Sequence, residues 1–443
     1  MLRNHTTTIW LVNLMVVFPS LEFENGKHRN ISHSITTRLK MASSVVITRI
    51  ETLRNPEYPM IVWAKVYSSD GYVGLGETSF SPDAIEAYIH GDIVPYLLGK
   101  DPDQLDLHWD ILGRRMKVNR GRSVDASSVS AIDMALWDLY ARRNNQPLYQ
   151  VLGGLAREKI RVYNTCAGYS YGVKTPQGWV PGQIDYRPEQ PYEDYHAFMT
   201  DAGALADSLM SEGFTAMKIW PFDKYSVESN GQFIHATDLE EGTEPFRKIR
   251  EAVGNKMDVM VEMHSLWNLS SAKRIAKSVE PHSPFWFEDP VPMDNIDTLA
   301  EFRKSTDIAT TASETVATRW AFREMFEKQA MTICMLDISW VGGISEAKRI
   351  ASMAHAYHMP VAPHDCVGPV TLMFSVHLSL NAPNALIQET VRAYNNTWYK
   401  DIVDQLPKIE NGFAYPPVGD GAGTNLLDSF LDDPNTVVIG RDL

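Results

Sequence analysis

The chain has 443 residues and a formal net charge of −14, which argues against a nucleic-acid partner because a phosphate backbone requires a basic surface. Hydrophobic residues make up 44% of the sequence and charged residues 22%, as in ordinary globular proteins, and the length suits a barrel with a second domain. Three widely spaced cysteines, Cys166, Cys334 and Cys366, indicate neither a disulfide framework nor a zinc motif. A reducing, cytoplasmic setting is therefore expected.

The first 40 residues differ in character from the rest of the chain. Arg3 precedes an apolar stretch, residues 9–18, that resembles the start of a signal peptide. The stretch is too short to span a bilayer, and no cleavage-site pattern follows it. We expect residues 1–40 to be an N-terminal extension outside the fold, with the working protein beginning near Met41. No other segment approaches transmembrane length, so no membrane partner is expected.

Residues 41–160 predict an α+β capping domain. Residues 44–53 and 59–71 alternate apolar and polar side chains, as antiparallel strands do. Residues 127–145 place apolar side chains at helical spacing, and the glycines at 153 and 154 then interrupt the pattern.

Residues 161–405 alternate short apolar runs with amphipathic helical stretches, which is typical of a parallel sheet. Eight such runs predict a closed (β/α)7β TIM-like barrel, with its chemistry at the carboxyl ends of the strands. The runs cover residues 160–166, 216–220, 258–264, 285–290, 309–314, 333–339, 360–365 and 385–390. The gap at 167–215 is too long for one helix and loop, so we expect an excursion near the mouth of the barrel. The tail, 406–443, is expected to return to the capping domain.

Three glutamates end consecutive strand-like runs at equal intervals. Glu262, Glu288 and Glu314 are each 26 residues apart, about the length of one strand–helix unit. Three convergent carboxylates repel one another unless a cation lies between them, and oxygen ligands of this kind suit Mg²⁺. The spacing therefore predicts one Mg²⁺ per subunit.

Other polar side chains lie at the predicted strand ends. Lys218, beside a divalent cation, could act as a base or could hold a substrate carboxylate by charge. Asp337 and His364 lie on adjacent strands and predict a catalytic dyad, in which the carboxylate fixes the imidazole tautomer; the alternative is a structural histidine. His264 lies two residues after Glu262, on the same side of the strand.

His264 could protonate a departing hydroxyl group, or could be a fourth metal ligand or the partner of a ligand. Glu389 ends the eighth run and could hydrogen-bond a substrate oxygen. Three tryptophans near the same rim either contact the substrate or pack in the wall: Trp220, Trp267 and Trp340.

Several motifs resemble those of one enzyme family. They are SAIDMALWDLYARRNNQPLYQVLGG, FWFEDP, ASET, MLDISWVGGISEAKRIASMAHAYHMPVAPHD and LIQE. In order and spacing they are similar to the mandelate racemase/muconate lactonizing enzyme family of the enolase superfamily, and in particular to the acid-sugar dehydratases of the mandelate racemase branch. The resemblance covers the chain from about Val45 to its end.

The resemblance implies a Mg²⁺-dependent enzyme that removes the proton next to a carboxylate and stabilises the resulting enediolate. It matches the three glutamates to the metal ligands, Lys218 and His364 to bases on opposite faces, and Asp337 to the partner of His364. Two departures, Ala216 in place of a lysine and Glu262 in place of an aspartate, leave the subgroup open.

The histidine at 264 favours a lyase that dehydrates a sugar acid, an aldonate or an aldarate, to a 2-keto-3-deoxy acid. Dehydration must expel hydroxide and needs a proton donor, whereas racemisation needs two bases only. A racemase or epimerase of a 2-hydroxy acid therefore remains as the alternative, and a non-catalytic barrel as a second one. The expected partners are a small carboxylate substrate and further copies of the same chain.

Overall fold

Two β-sheets organise the chain, a small antiparallel one and a larger, mainly parallel one. The computed structural model describes them within residues 45–114, 116, 123–172, 174–175, 179–183 and 186–443. The N-terminal extension expected over residues 1–40 lies outside the described residues. Val45–Leu443 cluster as one compact unit. In the part of the chain that is described, no helix is long and apolar enough to cross a membrane.

The smaller sheet joins the N-terminal part of the chain to the C-terminal tail. Its strands run in the order β13–β1–β2–β3, all antiparallel: β1 (Ile47–Arg54), β2 (Ile61–Ser68), β3 (Val73–Ser79) and β13 (Val437–Asp442). Helical segments follow β3 in the chain: α1 (Pro82–Tyr88), a π-helical turn (Ile89–Ile93), α2 (Val94–Leu97), α3 (Leu105–Leu112), α4 (Val124–Arg143) and α5 (Leu148–Val151). The C-terminal tail therefore supplies the fourth strand of this sheet.

Helix α4 lies directly on strand β3, because two glycines allow the backbones to approach. A Cβ atom on Gly74 would lie 1.9 Å from the carbonyl oxygen of Ala135, and one on Gly76 would lie 1.9 Å from that of Ala131. No side chain larger than hydrogen fits at either position. Helix α4 accounts for the helix predicted at residues 127–145.

The larger sheet is the barrel. Parallel pairing links its strands in chain order, and the last strand pairs with the first: β4 (Ile160–Thr165), β5 (Ala216–Ile219), β6 (Asp258–Glu262), β7 (Trp286–Glu288), β8 (Ala309–Ala312), β9 (Ile333–Cys334) and β10 (Gln388–Thr390). A short hairpin, β11 (Ile409–Glu410) and β12 (Phe413–Ala414), adds antiparallel to β4. The predicted barrel is confirmed, with shorter strands than the apolar runs suggested.

The seventh predicted strand, residues 360–365, is reduced to isolated bridges. Val361 bridges Cys334 on one side and Ala385 on the other. Pro360 and Pro363 flank this position, and neither has an N–H group to donate to a neighbouring strand. The barrel therefore closes at this point through single residue pairs.

Helices alternate with the barrel strands. They are α6 (Asp194–Thr200), α7 (Ala202–Ser211), α8 (Asp223–Ser229), α9 (Ala236–Val253), α10 (Leu269–Val279), α11 (Ile296–Arg303), α12 (Arg319–Glu327), α13 (Gly343–Ala356), α14 (Pro369–Asn381) and α15 (Arg392–Asn395), with α16 (Asp428–Leu431) in the tail. Short 3₁₀ turns lie at Gly254–Lys256, Glu280–His282 and Trp398–Asp401. Two helices, α6 and α7, thus follow the excursion that begins at residue 167.

The capping sheet is hydrogen-bonded to the barrel near its carboxyl-end rim. Glu77 of β3 accepts hydrogen bonds from the backbone N–H of Thr371 (2.8 Å) and from Trp63 Nε1 (2.8 Å), so it caps the N-terminus of α14 from another domain. Thr78 Oγ1 donates to the carbonyl of Ser339 (2.8 Å). These contacts hold the capping domain next to the loops that carry Asp337 and His364.

Candidate active site

Three buried or nearly buried glutamates converge at the carboxyl ends of β6, β7 and β8. Glu262 and Glu288 are register partners at the ends of neighbouring strands, and Glu314 lies two residues beyond the end of β8. One carboxylate oxygen from each lies within 4.8 Å of the other two. The exposed fraction is 1% for Glu262 and 0% for Glu288, while Glu314 is partly exposed. The equal spacing in the sequence thus brings the three glutamates together at the carboxyl ends of three adjacent strands.

The donor set fits a divalent cation. Acidic side chains outnumber basic ones among the described residues of the site. The basic ones are Lys218, His264 and His364, and the acidic ones include Asp223, Glu262, Glu288, Asp289, Glu314, Asp337 and Glu389. Burial and the neighbouring charge of Glu262 raise the pKa of Glu288 well above its ordinary value. Glu262 Oε2 has no hydrogen-bond partner in the described part of the chain. A cation would displace protons and neutralise this excess charge, and three hard oxygen ligands suit Mg²⁺.

Lys218, on β5, lies among the carboxylates. Its Nζ is 2.5 Å from Glu288 Oε1, 2.9 Å from Glu389 Oε1 and 3.4 Å from Glu262 Oε2. Burial lowers the pKa of Lys218, but the surrounding carboxylates outweigh burial and raise it well above its ordinary value. The ammonium group therefore partly neutralises the acids in this structure.

His364 and Asp337 form the predicted pair. Nδ1 of His364 is 2.7 Å from Asp337 Oδ2, and the opposite nitrogen, Nε2, is 2.8 Å from Glu314 Oε2. Asp337 Oδ1 accepts hydrogen bonds from the backbone N–H (2.7 Å) and the hydroxyl (2.5 Å) of Ser339. Because a carboxylate only accepts, both ring nitrogens carry a proton in this arrangement: Nδ1 donates to Asp337, and Nε2, the nitrogen that faces the acids of the site, donates to Glu314.

His264 belongs to a second pair that the sequence did not indicate. Its Nδ1 lies 2.7 Å from Oδ2 of Asp223, the first residue of α8, which is 1% exposed. Nε2 is 3.5 Å from the hydroxyl of Tyr171, and the ring of Trp179 lies against the imidazole at a centroid distance of 4.6 Å. Burial alone lowers the pKa of His264, but the charges of Asp223 and Glu262 raise it to about 9.

Glu389 lies between Lys218 and His364. Its Oε1 forms an ion pair with Lys218 Nζ and accepts a hydrogen bond from the hydroxyl of Thr165, and its Oε2 accepts one from the backbone N–H of Asp365 at 2.9 Å. His364 Nε2 is 3.9 Å from Oε2. Glu389 therefore connects the first, second and seventh strand positions of the barrel.

A cavity of ≈ 190 Å³ opens over these groups. Trp220 and Trp340 line it, together with Tyr171 and Trp179 from the excursion and Phe80 from the capping domain. Lys218, His264, Glu314, His364 and Glu389 also border it. The cavity is thus acidic at its base and aromatic along its walls.

Trp267, expected at the same rim, does not border this cavity. Its side chain is 0% exposed and packs in the hydrophobic core. His264 and Ser265 have positive φ angles of 46° and 58°, so the chain turns sharply after β6. Trp267 therefore points away from the rim, which the period-two pattern of the strand could not predict.

Asp223, Tyr171, Trp179, Phe80 and Asp289 border the site without having been predicted. The available signal was weak: Asp223 follows Lys218 by five residues, at the start of the helix after that strand, and Asp289 directly follows Glu288. Asp289 Oδ2 accepts from Ser313 Oγ at 2.6 Å. Loop positions have no periodicity, so their direction is fixed only by the folded chain.

Known proteins are similar to this chain over most of its length. A curated relative, D-galactonate dehydratase from Ralstonia pickettii (strain 12J), is 28% identical over 392 residues, which cover 87% of this chain and 93% of the relative. A crystal structure of an enolase of the mandelate racemase subgroup from Agrobacterium tumefaciens is 43% identical with a TM-score of 0.80. An enolase protein from environmental sequencing of the Sargasso Sea is 39% identical with a TM-score of 0.80. In both comparisons the match covers 90% of this chain and 99% of the chain in the crystal structure.

Two family models match separate regions of the chain. Residues 31–153 match the N-terminal domain of mandelate racemase/muconate lactonizing enzymes, and residues 201–429 match the enolase C-terminal domain-like model. The second match alone covers more than half of the sequence. The chain therefore belongs to the enolase superfamily, in its mandelate racemase/muconate lactonizing enzyme family.

Proposed function

We propose that this protein is a Mg²⁺-dependent lyase that dehydrates a sugar acid, an aldonate or an aldarate, to a 2-keto-3-deoxy acid. The similarity to a D-galactonate dehydratase supports this class of reaction. The three glutamates would hold the cation, which would supply positive charge to stabilise the negative charge that develops on the substrate carboxylate.

The observation that carries the proposal is His264. Lys218 and His364 already provide two groups that could exchange a proton at the carbon next to the carboxylate. His264 borders the same cavity with a separate aspartate partner, 2.7 Å from its Nδ1. A third proton carrier has no task in racemisation, whereas loss of a hydroxyl group requires a proton donor.

In this mechanism the neutral form of His364, with Nε2 unprotonated, accepts the proton from C2 at Nε2. Asp337 holds the ring and stabilises the imidazolium through Nδ1. Lys218 is the alternative base, or holds the substrate carboxylate by charge. The electron pair left at C2 forms the C2–C3 double bond as the C3–oxygen bond breaks. His264 Nε2 gives its proton to the departing hydroxyl group, so that water leaves. The enol that remains tautomerises to the 2-keto-3-deoxy acid.

The test is a screen of aldonic and aldaric acids with Mg²⁺, scored by formation of a keto acid. We expect at least one acid to yield a 2-keto-3-deoxy product at a rate that depends on Mg²⁺. Exchange of the C2 hydrogen with solvent, accompanied by a change of configuration and no keto acid from any library member, would instead support a racemase or epimerase.

That second function has one observation in its favour. Lys218 and His364 both adjoin Glu389, at 2.9 Å and 3.9 Å from its two oxygens, so two candidate bases meet at one carboxylate. Racemisation uses such a pair, one base on each face of the carbon. It leaves His264 and Asp223 without a function, which is why dehydration is preferred.

A further inference from the structure

Two histidine–aspartate pairs border the same cavity, and they are held differently. In the first, Asp337 uses both carboxylate oxygens, one for His364 and one for Ser339. In the second, Asp223 uses Oδ2 for His264 Nδ1, while Oδ1 has no hydrogen-bond partner among the described residues. Only the first pair was expected from the sequence. The second lies beside the aromatic wall formed by Tyr171 and Trp179.

We propose that Asp223 is a positioning residue for His264 in the dehydration step, an inference that rests on the proposed function. Asp223 would keep a proton on Nδ1 and fix the orientation of the ring. The other nitrogen, Nε2, would then be the one presented to the cavity, where it donates its proton to the departing hydroxyl group.

Among the described contacts of the ring, the Asp223 carboxylate is the one that selects its orientation, because the Tyr171 hydroxyl, 3.5 Å from Nε2, can either donate or accept. Trp179 packs against the imidazole with an interplanar angle of 35°, and Trp220 meets it edge-on at 83° and a centroid distance of 5.7 Å. Aromatic packing restrains the plane of the ring but does not distinguish its two flipped orientations. A hydrogen bond to a carboxylate does, because only a protonated ring nitrogen can donate to it.

The position of Asp223 in the fold suits the role. It is the first residue of α8, directly after the loop that follows Lys218 on β5, and its side chain is almost fully buried. His264 lies on the neighbouring strand unit, 41 residues away in the chain. Buried aspartates are uncommon unless they are paired, and this one makes its side-chain hydrogen bond to a histidine that borders the cavity.

The test separates two partial reactions of the Mg²⁺-loaded enzyme. With a substrate from the screen, Asp223→Ala should lower keto-acid formation by about 10²-fold or more, the usual range for general acid catalysis. Exchange of the C2 hydrogen in D₂O should stay within about threefold of wild type, since His364 and Lys218 are unchanged. Asp223→Asn retains an acceptor oxygen that no other donor holds in place, so this oxygen can still face His264 Nδ1. Its rate of keto-acid formation should be at least about tenfold higher than that of Asp223→Ala.

A matched control is Asp337→Ala, in the other pair. It should lower C2 exchange and keto-acid formation together, because abstraction of the proton precedes loss of water. The role of Asp223 would be overturned if Asp223→Ala left keto-acid formation within about threefold of wild type. It would also be overturned if both rates fell in parallel in that variant, as general damage to the fold would cause.

A second measurement does not depend on the substrate. In ¹⁵N-histidine-labelled protein, a hydrogen-bonded Nδ1–H resonance should be present in wild type and absent from both His264→Asn and Asp223→Ala. Persistence of the resonance in Asp223→Ala would contradict the proposal. If wild type makes no keto acid from any acid in the library, the proposed function fails, and this resonance still decides whether Asp223 positions His264.

Discussion

Replacing Asp337 by asparagine should prevent His364 from acting as a base while leaving its side chain in place. The two oxygens of Asp337 have separate donors: Oδ1 accepts from the N–H and hydroxyl of Ser339, and Oδ2 accepts from His364 Nδ1. Asparagine has one acceptor oxygen, and the two donors of Ser339 hold it at the Oδ1 position. The amide NH₂ then faces Nδ1, which must become an acceptor, so the ring proton moves to Nε2.

A neutral imidazole with its proton on Nε2 cannot accept the C2 proton there. General-base catalysis is typically worth about 10²–10⁴-fold, or about 3–5 kcal/mol at 1.36 kcal/mol per factor of ten. Asp337→Asn should therefore slow C2 hydrogen exchange by that factor. The assay is ¹H NMR in D₂O with saturating Mg²⁺ and a sugar acid that wild type converts.

The control is Ser339→Ala, which removes the hydroxyl donor and leaves Oδ2 with His364. It should reduce exchange by less than about tenfold. Affinity for Mg²⁺ should stay at the wild-type value in both variants, because the three glutamates are untouched. If Asp337→Asn exchanges the C2 hydrogen within about tenfold of wild type, His364 is not the base in this reaction.

Two further predictions concern stability. In Glu77→Gln, an amide NH₂ group replaces one of the two carboxylate oxygens that accept hydrogen bonds from Trp63 and Thr371. The free energy of unfolding, measured in urea, should therefore fall by about 1–3 kcal/mol. An unchanged value would contradict the role of Glu77 as an interdomain cap. His377 is buried and accepts from the N–H of Tyr149 through a neutral ring, and burial lowers its pKa from 6.5 to about 4. Below pH 6.5 the folded state therefore binds fewer protons at His377 than the unfolded state does. The contribution of His377 to the free energy of unfolding is fully present above pH 6.5 and should be lost as the pH falls towards 4, by up to about 3 kcal/mol. His377→Asn should flatten this part of the pH profile, and parallel profiles for the variant and wild type would refute the assignment.

The parts of the fold that repeat along the chain were predictable. Each strand–helix unit carries the same pattern of apolar and polar residues, so the barrel follows from the sequence, and the confirmed strands end where polar side chains begin. Glu262 and Glu288 are the last residues of β6 and β7, which is why equal spacing placed them correctly. The seventh strand was overestimated because the prolines at 360 and 363 interrupt a run whose apolar pattern looks regular.

The parts of the site that depend on loops could not be predicted. Trp267 was expected near the rim, but two left-handed residues before it, His264 and Ser265, turn the backbone towards the core. Asp223 meets His264 through a contact between residues 41 apart, and no short motif encodes that contact. Phe80 reaches the cavity from another domain. Such contacts are set by tertiary packing, and the periodic pattern of apolar and polar residues along the chain does not predict them.

The central claim is that Glu262, Glu288 and Glu314 together hold one divalent cation. Crystals grown with Mn²⁺ in place of Mg²⁺ test it directly, through the anomalous difference map. We expect a single strong peak per chain, about 2.0–2.3 Å from one oxygen of each of the three carboxylates, a distance range typical of small divalent cations. A map with no peak among them, from crystals that contain saturating Mn²⁺, would contradict the claim.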